Sequence, residues 1–464
     1  MTFKVFADQT VGALLAAITL LVIFNEWSVL PQTLVVLPAL VLALVAILAV
    51  QVRASRKAFV GVAVILTVAL GVSDPGWTGA FAQAIGSAAF IAAFFTALST
   101  LRNVAQTSPA IRKAGRFLAA QPPGRRYAAL TAGGQMFALL LNYGAIQLLG
   151  ALAMANASTE PNVEIRNHRI RRMLLAIQRA FVSTLPWSPL SFAVAISTAV
   201  IPGASWAQAL IPGLITSVLV AGIGWALDTL FKPRLTVTPT RTAPEGSWAL
   251  MLPLFILLGL LVVSVGTLFL ATGIRVIGLV TVIVPLMALG WLILQNRGAG
   301  PEVSTVRRGR DYLIVELPTY RGEIILLMMA GYIGTIGAQL LAPLMVQTGL
   351  DLSSVPPWLI LVSFVWIIPL AGQIGMNPIL AVTLIAPLIP APEALGVTPT
   401  ALVVAITAGW ALSGASSPFT ASTLMISTFG SIPARRVGMV WNGPFTLVCA
   451  VVLSVWVVIY GLLI

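Results

Sequence analysis

The stretch 127–155, YAALTAGGQMFALLLNYGAIQLLGALAMA, decides the fold. It is apolar almost throughout, with Asn142-Tyr143-Gly144 near its middle. Cations bound it on both sides, Arg125 and Arg126 before it and the Arg-rich loop 166–179 after it. Cytoplasmic flanks of membrane segments carry the excess of Lys and Arg, so a single crossing would put one of these clusters outside. Two crossings need about 40 residues, and the stretch has 29. The sequence therefore predicts a re-entrant hairpin that enters from the cytoplasm, turns near mid-membrane and returns.

The rest of the chain supplies the same solvent. Of 464 residues, 59% are hydrophobic and 8% charged, against roughly 25% charged in a soluble domain. Apolar runs of bilayer length recur near 10–27, 31–52, 58–73, 77–100, 180–200, 205–231, 248–272, 274–296, 323–347, 398–430 and 437–463. They are continuous rather than alternating, which excludes a barrel of strands. The first run is read as an uncleaved span, because no small-residue cleavage site follows Asn25-Glu26-Trp27.

The net charge of +13 does not indicate nucleic acid. Lys4 and the basic loops 53–57, 102–126, 166–179, 232–241, 297–321 and 435–436 hold 25 of the 26 Lys and Arg residues, leaving only Arg275. That is the positive-inside pattern. With all of these loops cytoplasmic, 357–393 begins and ends outside and becomes a second hairpin of opposite entry. The reading is eleven spans and two hairpins in a bacterial-type inner membrane, N-terminus cytoplasmic and C-terminus periplasmic or external.

Residues 31–231 and 248–464 then form two inverted repeats behind an extra N-terminal span, 1–30. Each half has three spans, a hairpin, a span with a polar interruption, and a final span. Asn142 and Asn377 stand 235 positions apart, one beside Tyr143-Gly144 and the other before Pro378. The interruptions are Pro186-Trp187-Ser188-Pro189-Leu190-Ser191 in 180–200 and Ser413-Gly414-Ala415-Ser416-Ser417-Pro418-Phe419-Thr420 in 398–430, with Pro189 and Pro418 separated by 229.

Broken helix at membrane depth survives only where it is buried in protein or lines a wet cavity. Helix N-termini favour anions, and unwound carbonyls with hydroxyls can coordinate a cation. The expected substrate and ion site is therefore Asn142, Tyr143, Gly144, Ser188, Pro189, Ser191, Asn377, Pro378, Ser416, Ser417, Pro418 and Thr420. No carboxylate or histidine falls there, as a proton relay would need, since the acidic residues lie in loops or near segment ends and His168 lies among the arginines. Sodium held by neutral oxygens needs no carboxylate, so bound sodium is the expected ion and no other cofactor is expected. No Arg or Lys is expected at the site. The single cysteine, Cys449, excludes a disulfide framework or a thiolate metal cluster.

The pattern resembles the ion transporter superfamily, particularly the divalent anion:sodium symporters, in architecture over nearly the whole chain. Asn142 and Asn377 stand where that family has the Asn of a Ser-Asn-Thr tip, but their neighbours are Leu141 and Tyr143, Met376 and Pro378. The Ser-Pro breaks match the polar interruption that follows each hairpin. The chain also looks like the large membrane subunit of tripartite transporters, which works with a periplasmic receptor and a small membrane subunit. The resemblance implies an elevator-type secondary transporter of a small anionic solute, coupled to a cation gradient, in a lipid-embedded homodimer. An enzyme would need convergent titratable groups and a channel a charged pore ring; the sequence presents neither, so no catalytic residue is expected.

Overall fold

The computed structural model describes residues 3–27, 36–232, 236, 246–296, 304–348 and 352–463. The expected start of the span 31–52, most of the loop 232–241 and the first residues of the loop 297–321 lie outside them. The described residues form helices and no strand. In chain order these are α1 (Phe3–Glu26), α2 (Leu37–Gln51), α3 (Ala54–Ser73), α4 (Trp77–Thr107), α5 (Pro109–Ala119), α6 (Pro123–Leu141) and α7 (Tyr143–Ser158). Then come α8 (Val163–Thr184), α9 (Phe192–Val200), α10 (Trp206–Leu230), α11 (Leu252–Thr272), α12 (Val276–Gln295), α13 (Thr305–Asp311) and α14 (Arg321–Gln347). The chain continues with α15 (Pro357–Gln373), α16 (Pro378–Ile385), α17 (Pro399–Ser416), α18 (Ala421–Gly430) and α19 (Gly443–Leu463). Among the described residues, nine helical segments are long and apolar enough to cross a membrane, as an all-helical membrane protein requires.

The local chemistry sets the boundaries. Proline, which needs no N–H partner at a helix start, opens α5, α6, α15, α16 and α17. Asn162, Ser191, Ser205, Ser304 and Thr398 cap the helices that follow them through their side-chain oxygens.

Three of the expected basic loops are largely helical. The stretch 102–126 holds the end of α4 and the amphipathic α5, which buries Ile111, Phe117 and Leu118 while Arg112, Lys113 and Arg116 stay exposed. Its apolar face packs on α6 and α7 and its cations face outward, the pattern of an ordinary amphipathic helix. The stretch 166–179 is the body of α8, capped by Asn162 and continuous into the apolar run. The described part of 297–321 is α13, followed by a π-helical turn at 312–316 and a 3-10 turn at 317–320. Charge marks the end of a hydrophobic environment; it does not mark the end of a helix.

The chain divides into two compact units, and each draws on both expected halves. One comprises Met1–Val104, Val263–Leu352 and Ile379–Ile389. Within it α3 packs on α14, with Thr67 Oγ1 2.7 Å from the Tyr332 hydroxyl. Arg321 joins Gln51 at 2.6 Å and Asp8 at 3.2 Å, and Thr383 Oγ1 donates to Ala330 O at 3.4 Å.

The other unit comprises Ala105–Val262, Ser353–Pro378 and Pro390–Ile464. Here α6 and α7 pack on each other and both on α8, while α15 and α19 flank α17. The α15–α17 contact is close because Gly409 has no side chain: a Cβ there would sit 2.2 Å from Phe364 O. Gly409→Ala should therefore lower stability by about 1–3 kcal/mol, whereas Gly222→Ala, with open space around it, should leave it unchanged or slightly raised. Thermal unfolding of the detergent-solubilised variants measures both.

Candidate functional site

All twelve residues expected at the site belong to the second unit. The first interruption falls at Asn142, the residue between α6 and α7, with φ 50° and ψ −129°. This is a conformation that few residues other than glycine adopt, and Asn tolerates positive φ better than most. It lets the chain reverse within one residue, so α7 starts at Tyr143. The Asn142 side-chain amide points to Leu190 O at a long 3.5 Å, which sets the hairpin tip against the break between α8 and α9. The Tyr143 ring lies against Phe181 of α8, with ring centroids 4.8 Å apart and planes tilted by 36°.

That break runs from Leu185 to Ser191, and its polar groups close on one another. The Ser191 hydroxyl donates to Leu185 O at 2.8 Å and accepts the Val194 N–H at 3.2 Å, so one side chain serves the end of α8 and the start of α9. Ser188 accepts the Leu190 N–H at 3.1 Å. Trp206 Nε1 donates to Trp187 O at 2.8 Å. Pro189 lies between them, where its missing N–H needs no partner.

The second pair repeats the plan with different atoms. α15 ends at Gln373, Gly375 takes φ 93°, and Asn377 immediately precedes α16 at Pro378. α17 ends at Ser416, and α18 begins after Thr420. Ser417 Oγ donates to Gly372 O at 2.6 Å and accepts the Phe419 N–H at 3.2 Å. Gln373 Nε2 reaches Ser416 Oγ at 3.4 Å. Each of these junctions thus meets the helix break that follows it in the chain.

Five oxygens gather at this second break. Thr420 Oγ1 is 2.9 Å from Ser417 O and 3.1 Å from Thr423 Oγ1. Ser422 Oγ lies 2.5 Å from Gly414 O and 3.4 Å from Thr420 Oγ1, and Thr423 Oγ1 lies 3.4 Å from Gly414 O. Hydroxyl and carbonyl oxygens of this kind are donors to hard cations. Among the described residues no group of three or more His, Cys, Asp or Glu comes together, so neutral oxygens are the available ligand set.

Arg179 is the residue that sequence reasoning misplaced. It was expected at the end of a cytoplasmic loop, and no cation was expected near the site. It lies instead inside α8 and is buried. Its Nε donates to Asn442 Oδ1 at 3.1 Å, and its Nη1 donates to the Tyr127 hydroxyl at 3.0 Å and to Gly224 O at 3.4 Å. Its guanidinium carbon stands 4.3 Å from the centre of the Phe445 ring, in cation–π range.

Gln178, fully buried, belongs to the same network. Its carbonyl accepts from Asn442 Nδ2 at 2.9 Å. Its amide donates to Thr423 Oγ1 at 3.1 Å and, at a long 3.4 Å, to Gly414 O and Ala415 O. Gln178 therefore holds the carbonyl end of α17 from α8, 236 residues earlier in the chain. The signal was present in the sequence: Gln178-Arg179 is a polar pair with apolar residues on both sides, and an ionisable residue within a span is a functional candidate. Ser413, fully buried beside Gly372, has a hydroxyl without a hydrogen-bond partner.

The cationic end of this unit is separate. Arg172 makes a bidentate pair with Asp228 at 2.9 and 2.6 Å, and Arg169 pairs with Glu160 at 2.8 Å. Burial, then Arg169 and Arg172, push the Arg126 guanidinium down to about 10, so it stays charged at neutral pH.

Comparison with known proteins places the fold. No family model matches the sequence and no curated protein matches it. Among solved structures, the YdaH transporter of Alcanivorax borkumensis superposes with a TM-score of 0.57 at 16% identity, over 87% of this chain and 98% of that one. MtrF of Neisseria gonorrhoeae superposes with a TM-score of 0.55 at 14% identity, over 89% of this chain and 96% of that one. The chain thus has a fold known from membrane transporters. The likeness does not single out the divalent anion:sodium symporters.

Removing Asn442 should show how much this network carries. Asn442→Ala takes a partner from the buried Arg179 charge and from Gln178 at once, a loss expected at about 2–4 kcal/mol. Ser183→Ala removes only a bond to Ala180 O within its own helix and should cost under about 1 kcal/mol. Thermal unfolding of the two variants in one detergent compares them.

Proposed function

We propose that this protein is a secondary active transporter that moves a small anionic solute, an organic acid or oxyanion, coupled to a sodium gradient. The observation that carries the reading is the second break, where Gly414, Ser417, Thr420, Ser422 and Thr423 bring five neutral oxygens together. Such a set suits sodium and needs no titrating carboxylate. An anionic solute is held by the helix starts at Tyr143 and Ala421, which have no side-chain cap, and by the Asn142 and Asn377 amides.

The first tip, both breaks and Asn377 lie in one unit, while α16, which follows the second tip, belongs to the other. The grouping of the site residues supports an elevator motion in which their unit carries the site across the membrane. The chain works in a bacterial-type inner membrane, N-terminus cytoplasmic, as a homodimer of inverted repeats. Export is a second reading, favoured by the likeness to MtrF, which is described as illuminating a class of antimetabolite efflux pumps.

A thermal-shift screen of small carboxylates and inorganic oxyanions, with and without sodium, identifies the solute, because a ligand that binds the folded state raises its melting temperature. Sodium alone should stabilise the parent. Thr423→Val should lose that response and keep its basal melting temperature within a few degrees. In proteoliposomes, Asn142→Gly, which keeps the backbone conformation and removes the amide, should cut solute flux at least tenfold, as should Asn377→Ala. Flux indifferent to an imposed sodium gradient would remove sodium from the account, and normal flux in both Asn variants would remove the site.

A further inference from the structure

We infer that the first unit carries a lateral binding site for one anionic phospholipid. A short stretch of one acyl chain occupies a cavity between α2, α3, α4 and α14, and the lipid phosphate rests at the N-terminus of α3. The cavity has a volume of about 190 Å³, enough for a benzene-sized apolar group. Its walls are apolar, formed by residues such as Val45, Val60, Phe81 and Met329, and the Thr67–Tyr332 hydroxyl pair is its polar point. It is not sealed: Leu42, Val64 and Val68 line it and are 50%, 58% and 62% exposed. In a chain of this fold that exposure faces hydrocarbon, so an acyl chain is the available occupant.

The headgroup end is read from the face of α3. Lys57, Val60, Val64 and Val68 recur at helical spacing and share one side, and Arg53 precedes the helix in the same register. The cavity wall therefore leads to two exposed cations. Lys57 to Val68 spans about 16 Å at 1.5 Å per residue, close to half of a hydrocarbon core of about 30 Å. One leaflet fits that distance.

The charge balance at this end favours an anion twice over. The first turn of α3 holds no acidic residue and Arg53 offers no side-chain cap, so backbone N–H groups and cations crowd a helix end that prefers negative charge. The nearby carboxylates are already engaged: Asp8 pairs with Arg321, and Glu323 lies beside Arg102 and Arg56. Arg56 is itself held by Gly322 O at 2.8 Å. Arg53 and Lys57 are the cations open to a phosphate, and basic clusters just cytoplasmic of a span are where anionic lipids bind.

The test uses the purified full-length protein in a non-ionic detergent. Phosphatidylglycerol should raise the melting temperature and survive as a one-to-one adduct in native mass spectrometry. Phosphatidylcholine of the same acyl chains should do so far less, and glycerol phosphate, the headgroup without chains, should do neither. Arg53→Gln with Lys57→Gln should weaken the phosphatidylglycerol response roughly 30-fold in concentration. Val64→Trp, which fills the cavity from an exposed position, should abolish the adduct; Val68→Phe is read in its place if that protein does not fold. Equal responses to the two phospholipids would overturn the inference. So would an undiminished adduct in the double Gln variant or in the filled-cavity variant, or a glycerol phosphate response matching that of the lipid.

Discussion

A backbone carbonyl or N–H left unpaired away from water costs several kcal/mol, and this chain interrupts its helices among buried residues, Ser188, Ser191, Ser416 and Ser417. The arrangement around the breaks follows from the constraint. Ser191 serves two helix ends with one hydroxyl. Ser417 reaches across to the carbonyl of Gly372 on α15. At the end of α17, where intrahelical donors run out, Ser422, Thr423 and Gln178 approach Gly414 O. The bonds vary from 2.5 to 3.4 Å, and the long ones are the weak members. Weakly held oxygens can exchange a protein donor for a cation, so the constraint that shapes the fold also leaves groups for a ligand.

The two breaks solve the problem unequally. At the first break the hydroxyls are used up within the segment itself. At the second they depend on Gln178, which Asn442 orients and which sits next to the buried Arg179. Moving 229 residues on from Gln178 and Arg179, the offset between the two Ser-Pro breaks, reaches Thr407 and Ala408, which offer no amide and no charge. The network is therefore one-sided. A charge this deep is stable only with its partners in place, and Tyr127, Gly224, Asn442 and Phe445 supply them from three other segments.

How much of this was legible follows from what each residue does. The interruptions were readable because Pro189 and Pro418 stand among clustered Ser residues, and the Asn residues beside Gly144 and Pro378 marked the tips. Proline alone does not decide, since Pro212 and Pro285 lie inside helices. Arg179 was misread because charge counting assigns every arginine to a loop, whereas a helix can carry one inward if an amide, a phenol and a ring receive it. The amphipathic α5 was hidden by the same assumption. Nor could sequence show that α16 belongs with the first unit while α15 belongs with the second. That depends on Thr383 meeting Ala330 and on the bare surface of Gly334, contacts made between segments far apart in the chain.

The proposed transport requires that the first tip open the site to the cytoplasm and the second open it to the outside. Labelling single cysteines with a membrane-impermeant thiol reagent tests it most directly, in a background where Cys449, buried in the native protein, is replaced by Ala. Tyr143→Cys should be labelled from the cytoplasmic side and Met376→Cys from the outside, both protected by the transported anion with sodium. Labelling of both from the same side, or of neither, would contradict the account.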